Sequence, residues 1–227
     1  MQNKLNFDIY RESQIDETFR IKKILGQFDL KIEHSKEHFK GQIDLPEKWN
    51  IGVIVGPSGT GKTTIATELF GDKFVNNTYT HKSVIDDMPK NKTIDEIGKM
   101  FYAVGFGSTP SWLKPYQVLS NGEKMRVDLA NAMLKNDFCI FDEFTSVVDR
   151  NVAQTMCIAT NKFVKKFNKK FIAVSCHYDI LDWLQPDWYF DTRQMKCFFV
   201  ISHALKKNSK SESVADKNGK ILGNIII

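Results

Sequence analysis

The sequence has no apolar run approaching the roughly 20 residues that a membrane-spanning helix requires, so no helical membrane span is expected. Cysteine is scarce: Cys139, Cys157, Cys176 and Cys197 are widely spaced and form no C-x-x-C pair. Three of them sit among apolar neighbours, which points to buried, reduced thiols and a cytoplasmic location. Met1-Gln2-Asn3-Lys4 opens a polar segment, not a secretion signal. No internal repeat is found, and the formal net charge is only +5. So mild an excess permits contact with nucleic acid without arguing for it. What is left is an ordinary globular composition, 42% hydrophobic and 26% charged over 227 residues. That length suits one α/β domain with small additions.

Against this plain background one stretch stands out: Gly56-Pro57-Ser58-Gly59-Thr60-Gly61-Lys62-Thr63, directly after the apolar run Ile51 to Val55. The spacing is G-x-x-x-x-G-K-[ST], the phosphate-binding loop. Its glycines let successive backbone N–H groups converge on an anion. A helix opening near Lys62 and running through Thr64 to Phe70 adds its positive end. Lys62 reaches the β- and γ-phosphates, and the Thr63 hydroxyl ligates Mg²⁺. The sequence therefore predicts binding of a nucleoside triphosphate.

Two further stretches supply chemistry. Phe138-Cys139-Ile140-Phe141 is an apolar strand that ends in Asp142 and Glu143. A carboxylate delivered at the carboxyl edge of a parallel sheet joins the Mg²⁺ shell, and Asp142 suits that role. Glu143 beside it suits a general base acting on water. Leu119-Ser120-Asn121-Gly122-Glu123-Lys124 places Ser120 and Gly122 at an expected helix N-terminus, a second potential anion site.

The remaining chain reads as strands alternating with helices, hence a mainly parallel sheet. Thr18 to Leu25 is a strand or a short helix, and Phe28 to Ile32 suggests another strand. His34 and His38 are spaced to share a helix face as metal ligands, but the charged residues around them favour a solvated loop or hairpin tip. Ser83 to Asp87 reads as a short strand or buried edge. Thr93-Ile94-Asp95-Glu96 is a capping box opening a helix that carries Ile97, Met100, Phe101 and Val104. Longer helices are expected from about Asn121 to Leu134 and Asn151 to Phe167, with a strand at Phe171 to Val174. From Lys206 the composition turns to Lys, Ser, Asn, Asp and Gly, which reads as a flexible tail over 206–227 after a domain over 1–205.

In order along the chain, Gly56 to Thr63, Leu119 to Glu123, Phe138 to Glu143, Thr145-Ser146-Val147-Val148-Asp149 and His177 resemble the motifs of an ATP-binding-cassette (ABC) ATPase. They look like its Walker A loop, signature motif, Walker B strand, D-loop and switch histidine. The resemblance implies a P-loop α/β fold with an N-terminal antiparallel β part and a helical signature region over about 80–135. Further stretches resemble the cytosolic ABC-type ATPases found fused to predicted acetyltransferase domains: Glu17 to Arg20, Ser83 to Asp86, Val104 to Gly107, Trp112-Leu113, Asp142 to Phe144 and Leu184 to Asp187. No segment of acetyltransferase size accompanies them in these residues, so acetyl transfer is not carried over.

By that resemblance two copies sandwich two ATP molecules head to tail, with Ser120 and Gly122 of one facing the γ-phosphate held by Lys62 of the other. Asp149 shapes that contact. His177 holds the γ-phosphate, the water and Glu143 in line; the bland alternative is a core or helix-capping histidine. The sequence also departs from the family. Asn121 and Glu123 replace the usual Gly and Gln of the signature. The glutamine expected between Walker A and the signature is missing, and Asp86 or Asp87 is the candidate for its place. Phe28 is the candidate adenine-stacking aromatic by its distance upstream, with a core phenylalanine as the alternative.

The expectation is thus an ATP hydrolase using Mg²⁺, homodimeric on ATP, that drives a conformational change in a protein or nucleic-acid partner. The alternatives are a nucleic-acid maintenance clamp, motivated by Lys162, Lys165, Lys166, Lys169 and Lys170, and the ATP-binding subunit of a membrane transporter. The missing glutamine and the short middle region count against the transporter. A nucleotide-gated module without turnover is disfavoured by the Asp142-Glu143 pair.

Overall fold

The computed structural model describes residues 3–13, 18–29, 35–201, 211–215 and 221–226. The expectations for His34, for Glu17 and for 30–32 fall outside them.

The centre is a seven-stranded sheet in the order β4-β5-β3-β6-β7-β8-β9. Here β3 is Ile51–Val55, β4 Phe138–Phe141, β5 Lys170–Ser175 and β6 Trp188–Asp191. β7 is Lys196–Ile201, β8 Ser211–Ala215 and β9 Ile221–Ile226. β4, β5, β3 and β6 run parallel, while β7 to β9 continue antiparallel. Parallel strands need both faces covered, and the sequence obliges: all of β3 is buried. Alternation then sends Ile51, Val53 and Val55 into one core and Ile54 into the other.

The first core packs under helices α3 (Ile94–Ala103), α5 (Asn121–Lys135) and α6 (Arg150–Lys166). The second is closed by α2 (Lys62–Phe70) and by a two-stranded hairpin, β1 (Asn3–Ser13) with β2 (Ser35–Leu45). Between β1 and β2 lies α1 (Phe19–Gln27), so the strand-or-helix ambiguity at 18–25 resolves to helix. The architecture matches the expected mainly parallel sheet with an antiparallel β part near the N-terminus. Gly52 is required where it stands: a Cβ there would meet the Trp188 indole at 2.2 Å.

Helix ends follow their chemistry. Thr93 and Glu96 form the predicted capping box of α3, and Ser120 and Glu123 form a second one on α5. Asp149 caps α6 by accepting from the N–H groups of Asn151 and Val152, each at 3.0 Å. The short helix α4 (Thr109–Trp112) seats Trp112, whose indole N–H donates to the Phe106 carbonyl at 2.8 Å. A final short helix, α7 (Ile180–Leu184), precedes β6.

Residues 83–87 are no strand: Val84–Asp87 is a 3₁₀ turn, because Asp87 bonds back to the N–H groups of Thr80 and His81 and curls the chain. Beyond β7 the sheet continues through β8 and β9. The antiparallel edge of β7 offers backbone groups, and 213–215 pair with 199–201 along it. His38, expected in a loop or hairpin tip if not a metal pair, lies in β2, stacked on Tyr10 and bonded to Asp8 at 2.6 Å.

Candidate active site

The carboxyl ends of β3, β4 and β5 converge at one edge of the sheet, where α/β folds bind ligands. From β3 the chain turns through Gly56 to Gly61. Gly59 and Gly61 adopt φ of +79° and +80°, left-handed values that favour glycine. A Cβ on Gly56 would sit 2.1 Å from the Thr192 hydroxyl. Gly61 caps α2 without a side chain, leaving the first N–H groups of the helix free for an anion. Pro57, Ser58 and Gly59 are exposed, Thr64 is half-buried and Lys62 is buried. The Lys62 ammonium donates to the Pro57 carbonyl at 2.8 Å, so it lies across the concave side of the loop.

Thr63, on the first turn of α2, donates to Asp142 Oδ1 at 3.3 Å. A hydroxyl and a carboxylate from two elements therefore meet beside the loop. They are hard oxygen donors, the type Mg²⁺ selects, and too few to hold it alone. No cluster of three or more acidic, histidine or cysteine side chains occurs among the described residues. The donor set fits a cation completed by water and phosphate oxygens.

Glu143 follows with φ of +50°, a backbone conformation uncommon for a residue with a side chain. Its N–H donates to Asp142 Oδ1 at 2.9 Å, and its carbonyl accepts from Ser146 at 3.0 Å. This tight turn frees the Glu143 side chain to solvent at the sheet edge. Phe144 anchors the turn to β5: its N–H donates to Val174 and its carbonyl accepts from the Ser175 hydroxyl. That same hydroxyl accepts from the N–H of His177 at 3.2 Å. The Glu143 turn and His177 thus share one support at the ends of adjacent strands. The half-buried His177 ring lies against the Cys176 thiol, 3.7 Å away.

Ser120 is exposed at the start of α5 and belongs to no contact described with Lys62. Gly122 packs on Val148, where an added Cβ would meet the Val148 side chain at 3.4 Å. The signature-like turn and the 145–149 segment therefore form one surface. Glu123 accepts from both the N–H and the hydroxyl of Ser120, each at 2.9 Å. These bonds, the Ser120 N–H first, hold the Glu123 carboxyl below its usual range. The residue that departs from the family pattern is a charged helix cap.

Phe28 sits at the C-terminal cap of α1, 64% exposed, on a helix with no buried residue. The aromatic that rests on the loop is Phe39 of β2, whose ring lies 2.6 Å from where a Cβ of Gly61 would be. Counting upstream could not find it, because the hairpin and not the chain distance sets its place. Asp86 and Asp87 hold their own loop together, Asp86 accepting from the Ser83 hydroxyl and Asp87 from the N–H groups of Thr80 and His81. Phe74 bridges Ile140 in parallel and Val75 donates to the Ile140 carbonyl at 2.9 Å. The chain leaves that bridge at Asn76 and Asn77, which share a cavity of about 290 Å³ with Asp142.

Sequence reasoning also missed Thr192. The Thr60 and Thr192 hydroxyls share a hydrogen bond across 2.5 Å, and each also reaches a carbonyl, Pro57 at 2.8 Å and Val55 at 3.3 Å. With its N–H on the Val55 carbonyl, Thr192 braces the loop from the end of β6. Only the sheet order brings it there.

The fold is similar to that of ATP-binding-cassette domains of known structure. It is similar to a bacterial Atm1-family ABC exporter with ATP bound, with a TM-score of 0.54 and 17% identity over 84% of this chain and 37% of the exporter chain. The chain therefore spans just over a third of that exporter. The dimeric structure of MJ0796, a bacterial ABC transporter cassette, gives 0.55 at 13% identity, covering 83% and 94% of the two chains. A dimeric post-hydrolysis state of MJ0796 bound to ADP and Pi gives 0.54 at 14%, over the same shares. No protein-family model and no curated protein matches the sequence. No helix among the described residues is long and apolar enough to cross a membrane.

Proposed function

We propose that the chain is an ATPase that binds Mg-ATP between two copies arranged head to tail and uses hydrolysis to drive a partner. The observation that carries this reading is the pairing of Thr63 with Asp142 beside a loop whose Lys62 rests on the Pro57 carbonyl, while Ser120 stands exposed.

The loop N–H groups and the start of α2 wrap the triphosphate, and Lys62 swings from the Pro57 carbonyl to the β- and γ-phosphates. Phe39 lies beside the loop as a ring for the adenine. Thr63 and Asp142 would hold Mg²⁺, which would supply positive charge against the phosphate oxygens. Glu143 accepts a proton from the attacking water as the new O–P bond forms. The bond to the bridging oxygen breaks, ADP leaves and inorganic phosphate remains. His177 orients the γ-phosphate, and Asn76 or Asn77 faces it from the other side. One face of the triphosphate stays open to water until Ser120 and Gly122 of a second copy cover it.

This reading makes hydrolysis second order. Phosphate release per milligram should rise with protein concentration until dimers saturate, and should vanish when EDTA removes Mg²⁺. A specific activity independent of concentration would mean a site complete within one copy.

Glu123 adds a further expectation. Its carboxylate lies against the hydroxyl that meets the γ-phosphate, so it repels the incoming charge and competes for the Ser120 proton. Glu123→Gln keeps the cap geometry and removes the charge. It should raise ATP-driven dimerisation on the order of tenfold, since a half-exposed charge is screened. Sedimentation velocity with ATP reads the change, and an unchanged dimer fraction would place Ser120 away from the nucleotide.

A further inference from the structure

The lysines at 162–170 play no part in the nucleotide site. Three of them line a groove between α3, the C-terminal end of α5 and α6, with a volume of about 340 Å³. Its floor is apolar: Met100, Leu134, Ala159, Phe163 and Phe167, the last 53% exposed. Its rim is basic, with five lysines against the single carboxylate of Glu96. That carboxylate is committed to the Thr93 cap and faces Lys92 at 3.8 Å. Lys169 is likewise spent on the Asn136 carbonyl and Asp137. Lys99 on the α3 bank and Lys162 on the α6 bank make no ion pair among the described residues, and Lys166 lies over the Phe167 ring.

We propose that this groove docks an acidic amphipathic helix of a partner protein. An apolar floor between two banks on which lysines outnumber carboxylates fits a helix with an apolar stripe flanked by Asp or Glu. A nucleic-acid backbone would satisfy the rim and leave the floor bare. Phe163 and Phe167 are tilted at 45° against each other with centroids 4.6 Å apart, so they form no coplanar platform, and Lys166 and Lys169 lie over their rings, in competition with a stacking base. The groove also has a mechanical advantage. α5 is capped by Ser120 and α6 by Asp149, on the surface assigned to the second copy, and both end in the groove walls. A helix seated there contacts both rods whose far ends meet the nucleotide.

The test uses the full chain without nucleotide, so its result is independent of the ATPase reading. Phage-displayed random peptides of about 16 residues, long enough to match α6, are panned on the protein. Enriched peptides should carry acids flanking Leu, Ile or Phe at helical spacing. Fluorescence anisotropy with the best binder should show Kd raised at least about tenfold by Phe167→Asp and by Lys99→Glu with Lys162→Glu. A copy of that peptide with its acids changed to Lys should regain binding to the charge-reversed protein. These residues are exposed, and an unchanged melting temperature and circular dichroism spectrum show that the variants fold. The proposal is overturned if no acidic amphipathic peptide is enriched, or if binding ignores these substitutions. It is equally overturned if duplex DNA or phosphatidylserine vesicles, in place of peptides, are what Lys99 and Lys162 hold.

Discussion

Glu143→Gln is expected to bind ATP, form a dimer and stop there. Phosphate release should fall by about 10²- to 10³-fold, the usual weight of a positioned general base. Size-exclusion chromatography with Mg-ATP should show a stable dimer that wild type forms only transiently. Glutamine matches the carboxylate in size but takes no proton from water. The fold should not notice the change: the side chain is exposed, and the turn is held by backbone bonds to Asp142 and Ser146. The ground-state complex therefore survives and the chemical step does not. Normal turnover, together with a monomeric profile in ATP, would remove Glu143 from the mechanism and leave the 142–146 turn without a chemical purpose.

How much of this was visible in the sequence depends on how local each feature is. The phosphate loop, the Asp142-Glu143 pair and the capping boxes at Thr93 and Ser120 are each written within a few residues. Their physics is local too: a glycine at positive φ, a hydroxyl reaching the third N–H of a helix. The features that sequence reasoning missed are those assembled by the sheet. Thr192 braces Thr60 because β6 lies beside β3, and nothing in a Thr-Arg pair announces it. Phe39 reaches Gly61 through the β1–β2 hairpin, a placement that distance along the chain does not reveal, and Phe28 caps the exposed helix α1. Asn76 and Asn77 gain their position from a bridge to Ile140 too short to show as a hydrophobic pattern. The lysines of α6 read as a solvated face because the apolar floor beneath them comes partly from α3 and α5.

A site shared between copies allows a sharper experiment than any single substitution. Lys62→Ala removes the phosphate ligand and leaves Ser120 intact. Ser120→Asp keeps an N-cap for α5, since aspartate caps as well as serine, but sets a negative charge where the γ-phosphate must sit. Each variant alone should lose on the order of 10²-fold in phosphate release, because each of its sites carries the defect. In a mixed dimer the two defects fall together on one site. The other site has Lys62 from the Ser120→Asp chain and Ser120 from the Lys62→Ala chain, both native. An equimolar mixture makes half its dimers mixed, each with one native site, so activity should return to about a quarter of wild type. If the mixture stays as inactive as its components, Lys62 and Ser120 never meet across an interface. If Ser120→Asp is active by itself, the second copy contributes no group to the phosphate, and the exposure of Ser120 has another cause.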